Sequence, residues 1–258
     1  MSRLTETVIR WFAKLENTRF GGDAVAGFLG FVFFSFTVGV AKLDPRNVGW
    51  LTFGDQKAHL LGWLFFSSDK WRWPLGANPR YGWEGMNSIV FTDSWPGLAV
   101  FFKFLDIPAV NHGQYFGMGL FMGCIALFVG AGRLLDHFCS SRVQVLLGAG
   151  VLATTPVFWW MQRWYPALSA GMSLLVWAFL FYFDHRVSLQ RFFWRWNILL
   201  ILAVSTMAYL VVVIIPLMLV ASFQRVRENR PEIRNLVFSL GVIAASGAAS
   251  RRRSMAQR

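Results

Sequence analysis

Two acidic residues in a polar stretch between long apolar runs are the leading candidates for chemistry in this chain. Asp55 belongs to the sequence Gly-Asp-Gln-Lys-Ala-His at 54–59, and Asp93 belongs to Thr-Asp-Ser-Trp-Pro at 92–96. A carboxylate at a membrane surface can take a proton from an acceptor hydroxyl or bind a divalent cation. The stretch therefore favours an enzyme that acts on a lipid-borne substrate over a simple membrane anchor.

The spacing of Asp55 and His59 adds a third candidate. They are four residues apart, so on a helix they share one face, with Trp63 one turn further. We take Asp55, His59 and Asp93 as candidate catalytic residues, and Asp55 as the candidate metal ligand. Two simpler interpretations stay open. In the first, Asp55 and His59 form a solvated surface pair. In the second, Asp93 or Ser94 caps the helix that follows.

Candidate substrate-binding residues lie in the same stretch. Lys70, Arg72 and Arg80 fall between the two acidic residues, where they are suited to pair with phosphate or to contact lipid headgroups. Trp73 is one of several tryptophans that suit either an interfacial aromatic belt or stacking on a sugar ring. Gln114 stands at the entry of the next apolar run, where the simpler role is that of an interface anchor.

Composition indicates that membrane helices position these candidate residues. The chain has 258 residues, of which 55% are hydrophobic and 15% charged, and its mean hydropathy is +0.46. Repeated apolar runs of nearly membrane-spanning length predict an all-α, polytopic transmembrane protein. The formal charge of +12 comes from Arg and Lys clustered beside these runs, as membrane topology requires, so we exclude nucleic acid as a partner.

The basic clusters also predict the topology. Residues 1–20 read as an amphipathic helix on the cytoplasmic surface, which places the amino terminus in the cytoplasm. A transmembrane domain follows over residues 21–249, and its first loop, 43–112, lies outside the cytoplasm. Within that loop, two segments are apolar enough for short helices along the membrane: Lys57–Phe66 and Pro96–Leu105. Residues 250–258 form a basic tail.

The apolar runs outside the loop give the predicted spans. The spans that are clear from length and flanking charge are Ala24–Ala41, Tyr115–Leu135, Val143–Met161 and Ala167–Phe183. The last two are joined by a short turn, Gln162–Pro166, on the outer side. This turn is thus expected on the same side of the membrane as the long loop.

The run Asn197–Phe223 admits two interpretations. As one helix its 27 residues would span about 40 Å, against a hydrocarbon core of roughly 30 Å. Either two shorter helices turn near Ser205–Tyr209, which keeps both basic flanks in the cytoplasm, or one tilted span is kinked at Pro216. Leu236–Ala249 then begins a further, short span, and the abrupt basic end suggests a truncated chain.

The order of the loop motifs resembles a known pattern. It consists of Gly-Asp-x-x-x-His-x-x-Gly-Trp at 54–63, Trp-Pro-Leu-Gly-Ala-Asn-Pro at 73–79, Ser-Ile-Val-Phe-Thr-Asp-Ser-x-Pro at 88–96 and Gln-Tyr-Phe-Gly at 114–117. Over about residues 20–225 the chain resembles a family of proteobacterial inner-membrane proteins related to the GT-C glycosyltransferases, which use polyprenyl-phosphate-linked sugars.

The resemblance implies a GT-C-like fold with a long first extracytoplasmic loop, in the bacterial inner membrane. It implies that Asp55 serves as catalytic base or metal-associated carboxylate, with Mg²⁺ or Mn²⁺ as the cofactor in the second case, and that Asp93 assists. The donor would be a polyprenyl-phosphate-linked sugar and the acceptor a component of the cell envelope. Transfer would invert the anomeric centre, which needs a base beside the acceptor and positive charge near the departing phosphate.

Two features keep a second function class open. GT-C proteins usually continue through several more spans than this chain has, and the missing part normally helps to close the donor cavity. A non-enzymatic integral membrane protein, either a transporter subunit or a scaffold for envelope assembly, has the same composition. Convergence of Asp55, His59 and Asp93 on one cavity would favour the enzyme, whereas carboxylates pointing apart into water would favour the scaffold.

Overall fold

A computed structural model describes residues 19–82, 87–184 and 187–228, and every regular element among them is helical. The all-α prediction is therefore confirmed for the described residues. Most of the predicted amphipathic helix at 1–20, the short span Leu236–Ala249 and the basic tail at 250–258 lie outside them. The chain divides between Ile215 and Pro216, and every site residue discussed below belongs to the first unit.

The described helices are joined by short connections, except for the longer segments between residues 37 and 56 and between residues 68 and 96. They are α1 (Arg19–Thr37), α2 (Gln56–Ser68), α3 (Pro96–Leu105), α4 (Pro108–Asn111), α5 (Phe116–Leu135), α6 (Arg142–Ala153), α7 (Pro156–Trp164), α8 (Pro166–Phe183), α9 (Leu189–Thr206) and α10 (Ala208–Glu228). Single 3-10 turns lie at Val40–Leu43, Gly49–Leu51 and Ile89–Thr92. Proline occupies the first turn of α3, α4, α7 and α8, where its missing N–H costs no helical hydrogen bond.

Three of the described helices are long and apolar enough to cross a membrane. They are Phe116–Leu135, Pro166–Phe183 and Ala208–Arg227, and the bent pair α6–α7 makes up to four if it counts as one span, judged by length and composition. These helices indicate a membrane protein. The first predicted span, Ala24–Ala41, ends earlier than expected, because α1 ends at Thr37 and Gly39 then adopts a positive φ of 95°, a conformation that glycine adopts without strain.

The predicted span Val143–Met161 is formed by two helices that meet at a bend and pass together as one candidate span. The helix stops at Ala153 and resumes at Pro156, and the two parts meet at an angle of 46°. Proline restricts the residue before it to extended conformations, and Thr155 accordingly has φ −59° and ψ 140°. The bend tilts α7 relative to α6, and Tyr165 follows directly after α7.

The run Asn197–Phe223 differs from both sequence interpretations. The helix is interrupted at Met207, which is extended, and this break lies within the predicted turn at 205–209. The helix after the break, α10, is nevertheless long enough to form a span by itself, whereas two half-length helices were expected. Pro216 lies inside α10, which remains helical through it.

Close packing of small residues holds the first unit together around α5. A Cβ at Gly30 in α1 would lie 2.9 Å from the carbonyl oxygen of Cys124, and one at Gly123 would overlap Ala170 in α8. Small residues at such positions let helix backbones approach closely, which is a common basis of helix association in membranes. Because α1 and α8 both pack on α5, these three helices form one packed group.

The long loop folds onto the start of α5. The indole Nε1 of Trp63 donates a hydrogen bond to the carbonyl oxygen of Val110 at 3.0 Å, and Nδ2 of Asn78 donates to the carbonyl of Gly62 at 2.9 Å. Trp63 and Asn78 are fully buried. These buried hydrogen bonds give the loop a fixed structure, so its polar residues are held in place relative to the membrane helices.

Candidate active site

Asp55 lies at the start of α2, where its carboxylate meets a residue from a distant part of the chain. Its Oδ2 accepts a hydrogen bond from the hydroxyl of Tyr165 at 2.8 Å. The preceding residue, Gly54, has φ +57°, and a Cβ there would lie 3.1 Å from the ring of Trp164. Glycine therefore permits the loop to approach the segment between α7 and α8. The hydrogen bond to Asp55 is the main reason that the pKa of Tyr165 is raised.

Asp93 lies beside Asp55 and is held by His59. Nδ1 of His59 is 2.6 Å from the carbonyl oxygen of Asp93, and because a carbonyl only accepts, this nitrogen must carry the proton. Burial raises the pKa of the Asp93 carboxyl, the charge of nearby Asp55 raises it further, and His59 lowers it. Asp55 and His59 are thus near enough to influence the Asp93 carboxyl electrostatically, and His59 also contacts the Asp93 backbone directly.

Buried hydroxyl groups fix the backbone around Asp93. Ser94 Oγ donates to the carbonyl of His59 at 2.7 Å and accepts a hydrogen bond from Thr92 Oγ1 at 2.8 Å. The N-capping interpretation is wrong, because the N-cap of α3 is Trp95 and it makes no side-chain capping hydrogen bond. Asp93 instead ends the 3-10 turn before it, with a left-handed φ of 51°. Its backbone is thus held in an uncommon conformation by its neighbours.

The predicted phosphate-binding cations and Trp73 lie on the outer part of the loop. Arg72 forms an ion pair with Asp69, with 2.8 Å between Nε and Oδ2. Lys70 and Arg80 are exposed, and Trp73 is 86% exposed. No hydrogen bond or ion pair within the described ranges joins these residues to the candidate carboxylates. Their role in substrate binding stays a prediction.

Gln114 is buried, and its amide group is engaged by backbone atoms. Its Nε2 donates to the carbonyl oxygens of Lys42 at 2.8 Å and Asp44 at 3.0 Å, and its Oε1 accepts from the backbone N–H of Gly117 at 2.9 Å. The side chain therefore ties the segment after α1 to the start of α5. This position gives Gln114 a structural role, and its predicted contact with substrate remains untested.

A cleft of about 480 Å³ lies next to Asp55. Its lining includes aromatic, amide and cationic side chains, among them Lys42, Trp50, Phe53, Gln56, Arg163 and Trp164. Gln56 directly follows Asp55, and Trp164 directly precedes Tyr165, so two residues that line the cleft are chain neighbours of the two that form the Asp55–Tyr165 hydrogen bond. The sequence pattern did not identify Lys42, Arg163 or Tyr165. The only sequence signal for these residues was the predicted outer turn at 162–166, which is expected on the same side of the membrane as the long loop.

The predicted divalent cation finds few ligands around Asp55. In the described part of the chain, no group of three or more His, Cys, Asp and Glu residues is suited to hold a metal ion. One oxygen of Asp55 already accepts from Tyr165, and Nδ1 of His59 is engaged by the Asp93 carbonyl. The described residues near Asp55 therefore offer few ligands for Mg²⁺ or Mn²⁺. The binding of Mg²⁺ or Mn²⁺ by Asp55 stays a prediction.

The raised pKa of Asp93 predicts a pH-dependent contribution to stability. The folded protein binds this proton more tightly than an unfolded Asp with pKa 3.8, so the stabilisation is complete below 3.8 and is lost as pH rises through the folded pKa. In detergent, the apparent Tm of the unchanged protein should therefore fall as pH rises from about 4 to 7, and this fall should be absent in Asp93→Asn. Asp44→Asn, at an exposed loop carboxylate, should retain it. Identical pH profiles for Asp93→Asn and the unchanged protein would contradict the assignment.

Comparison with known proteins identifies a family. The sequence matches the family described as "Domain of unknown function (DUF6311)" over residues 27–251. The matched range includes every residue of the site described above. No curated protein and no solved structure matches the chain.

Proposed function

The chain belongs to the DUF6311 family, whose domain is of unknown function, and from this premise we propose a glycosyltransferase-like activity. In this proposal the protein transfers a sugar from a polyprenyl-phosphate carrier to a cell-envelope acceptor. The observation that supports it is the grouping of Asp55, Asp93 and Tyr165 beside a cationic cleft with tryptophan walls. A base, positive charge for phosphate and aromatic surface for a sugar are the groups that such a transfer needs.

The reaction is a single displacement. The acceptor hydroxyl gives its proton to Asp55 as its oxygen attacks the anomeric carbon of the donor sugar. The bond from that carbon to the phosphate oxygen breaks, and the carrier phosphate leaves with the electron pair. Because attack and departure occur on opposite faces, the anomeric centre is inverted. The hydroxyl of Tyr165 holds one oxygen of Asp55 at 2.8 Å and leaves the other for the acceptor.

Asp93 and His59 support this base in different ways. Burial and the charge of Asp55 favour the protonated form of Asp93, which limits the repulsion between neighbouring carboxylates. His59 is only 2% exposed, so we assign it as a positioning residue that fixes the backbone of Asp93. The proposal places the loop 43–112 on the outer side of the inner membrane and the amino terminus in the cytoplasm, where the positive-inside rule puts them.

A transfer assay with the purified full chain in liposomes tests the proposal. The probes are radiolabelled sugars on polyprenyl phosphate, offered with lipid and glycan acceptors from bacterial envelopes, and the product is released and its anomeric configuration determined. We expect labelled product whose configuration is opposite to that of the donor. A retained configuration would contradict the single displacement. Absence of transfer from every donor would favour a non-enzymatic role, as a transporter subunit or envelope scaffold.

A further inference from the structure

Two cations line the cleft beside Asp55 without an acidic partner. Lys42 comes from the turn Val40–Leu43, and Arg163 comes from the end of α7, and both border the same space of about 480 Å³. Neither forms an ion pair with any residue of the described ranges. No Asp or Glu is among the residues that line the cleft. The cleft therefore carries positive charge that the described side chains do not neutralise.

Each cation lies over an aromatic ring of the cleft wall. Nζ of Lys42 is 4.8 Å from the ring centroid of Trp50, and Cζ of Arg163 is 5.9 Å from that of Trp164. Burial lowers the pKa of Lys42, and the positive charge of Arg163 lowers it further. Two cations that line one cleft, with no carboxylate among the lining residues, attract an anion, because its charge relieves their repulsion.

The backbone of Lys42 is fixed by the structure around it. Its carbonyl oxygen accepts a hydrogen bond from Nε2 of Gln114 at 2.8 Å. The same oxygen packs so closely on Gly117, at the start of α5, that a Cβ there would overlap it. The backbone of Lys42 is thus anchored to α5, and its side chain lies over the ring of Trp50 at the cleft.

We propose that this cleft binds the phosphate group of a phosphate ester, with Lys42 and Arg163 contacting the phosphate oxygens. Trp50 and Trp164 then lie beside the esterified group, because both line the cleft and each ring lies under one of the cations. The volume lies within the usual range for small-ligand sites. Arg72, which the sequence suggested for this role, is already neutralised by Asp69.

Two sources of the phosphate ester share this chemistry: a lipid headgroup and a soluble sugar phosphate. The identification of the ligand with the carrier lipid rests on the proposed function, because only sugar transfer requires the carrier phosphate next to Asp55. Binding of a phosphate ester is independent of transfer and is measured without an acceptor.

Titration calorimetry on the full chain in an uncharged detergent tests the site. The three probes are inorganic phosphate, a hexose 1-phosphate and a polyprenyl monophosphate. Lys42→Gln and Arg163→Gln should each weaken binding by about tenfold or more, since each removes a charge-assisted hydrogen bond to phosphate. Arg191→Gln, which removes an exposed cation of α9 that does not line the cleft, should bind as the unchanged protein does. Lys42→Arg should retain most of the affinity, which separates loss of charge from misfolding.

The outcomes separate this inference from sugar transfer. Preference for the polyprenyl monophosphate assigns the site to a lipid, and preference for the hexose 1-phosphate assigns it to a soluble ester. Unchanged affinity in the double variant Lys42→Gln/Arg163→Gln, or no binding of any probe, would overturn the site. Intact phosphate binding without sugar transfer would overturn only the proposed function.

Discussion

Asp55→Asn is expected to abolish sugar transfer while the protein stays folded. Because Asp55 is exposed, its substitution should cost the protein little stability. The side-chain oxygen of Asn is still able to accept the hydrogen bond from Tyr165. An amide is unable to take the acceptor proton, however. Removal of a general base typically costs a factor of about 100 or more in rate. Initial transfer rates at equal protein concentration, with the apparent Tm of each sample, measure both effects.

Asp44→Asn is the matched control for this experiment. Asp44 is also an exposed loop carboxylate, and its Oδ1 accepts a hydrogen bond from the backbone N–H of Arg46 at 2.9 Å. It lies outside the group formed by Asp55, Asp93 and Tyr165, so transfer should continue at the unchanged rate. If Asp55→Asn transfers sugar as fast as Asp44→Asn, the carboxylate at position 55 is not the base.

Gly117→Ala is expected to cause the largest loss of stability from a single added methyl group. A Cβ at this position would overlap the carbonyl oxygen of Lys42, which is backbone and held by Gln114. The overlap is relieved only if the segment after α1 moves away from α5. Overpacking of this kind costs about 1–3 kcal/mol or more. The apparent Tm in detergent should fall, and phosphate binding should weaken because Lys42 moves.

Gly150→Ala is the control for the added methyl group. Gly150 lies within α6, and nothing comes within 4 Å of a Cβ built there. Alanine is favoured over glycine in a helix, so this variant should melt at the same temperature as the unchanged protein or slightly higher. Equal melting temperatures for Gly117→Ala and Gly150→Ala would show that the close approach at Lys42 does not constrain the fold.

The sequence predicted the helices better than their breaks. Apolar length and local proline signals are properties of neighbouring residues, and the helix Pro96–Leu105 has the bounds of the predicted segment. The bend before Pro156 was missed because the apolar run continues through it. The break at Met207 fell in the expected turn, but the length of α10 did not follow from the pattern.

Half of the candidate site was accessible to sequence reasoning. Asp55 and His59 share a helical spacing, and the motif around Asp93 lies in the same loop, so their proximity follows from one folded segment. Tyr165, Arg163 and Lys42 reach the site through packing of α1, α5, α7 and α8, and Tyr165 is 110 residues from Asp55. Such contacts depend on helix arrangement, which hydrophobic patterns do not specify.

The side of the membrane on which position 55 lies tests the central claim most directly, because lipid-linked sugars are used on the outer surface. Asp55→Cys is made in a chain whose native Cys124 and Cys139 are replaced by Ser, and spheroplasts are treated with a membrane-impermeant maleimide. We expect the cysteine at position 55 to be labelled in intact spheroplasts. A chain that retains only Cys139, in the loop between α5 and α6, should be labelled only after permeabilisation, because a single crossing by α5 separates this loop from the loop 43–112. Labelling of position 55 only after permeabilisation would contradict the account.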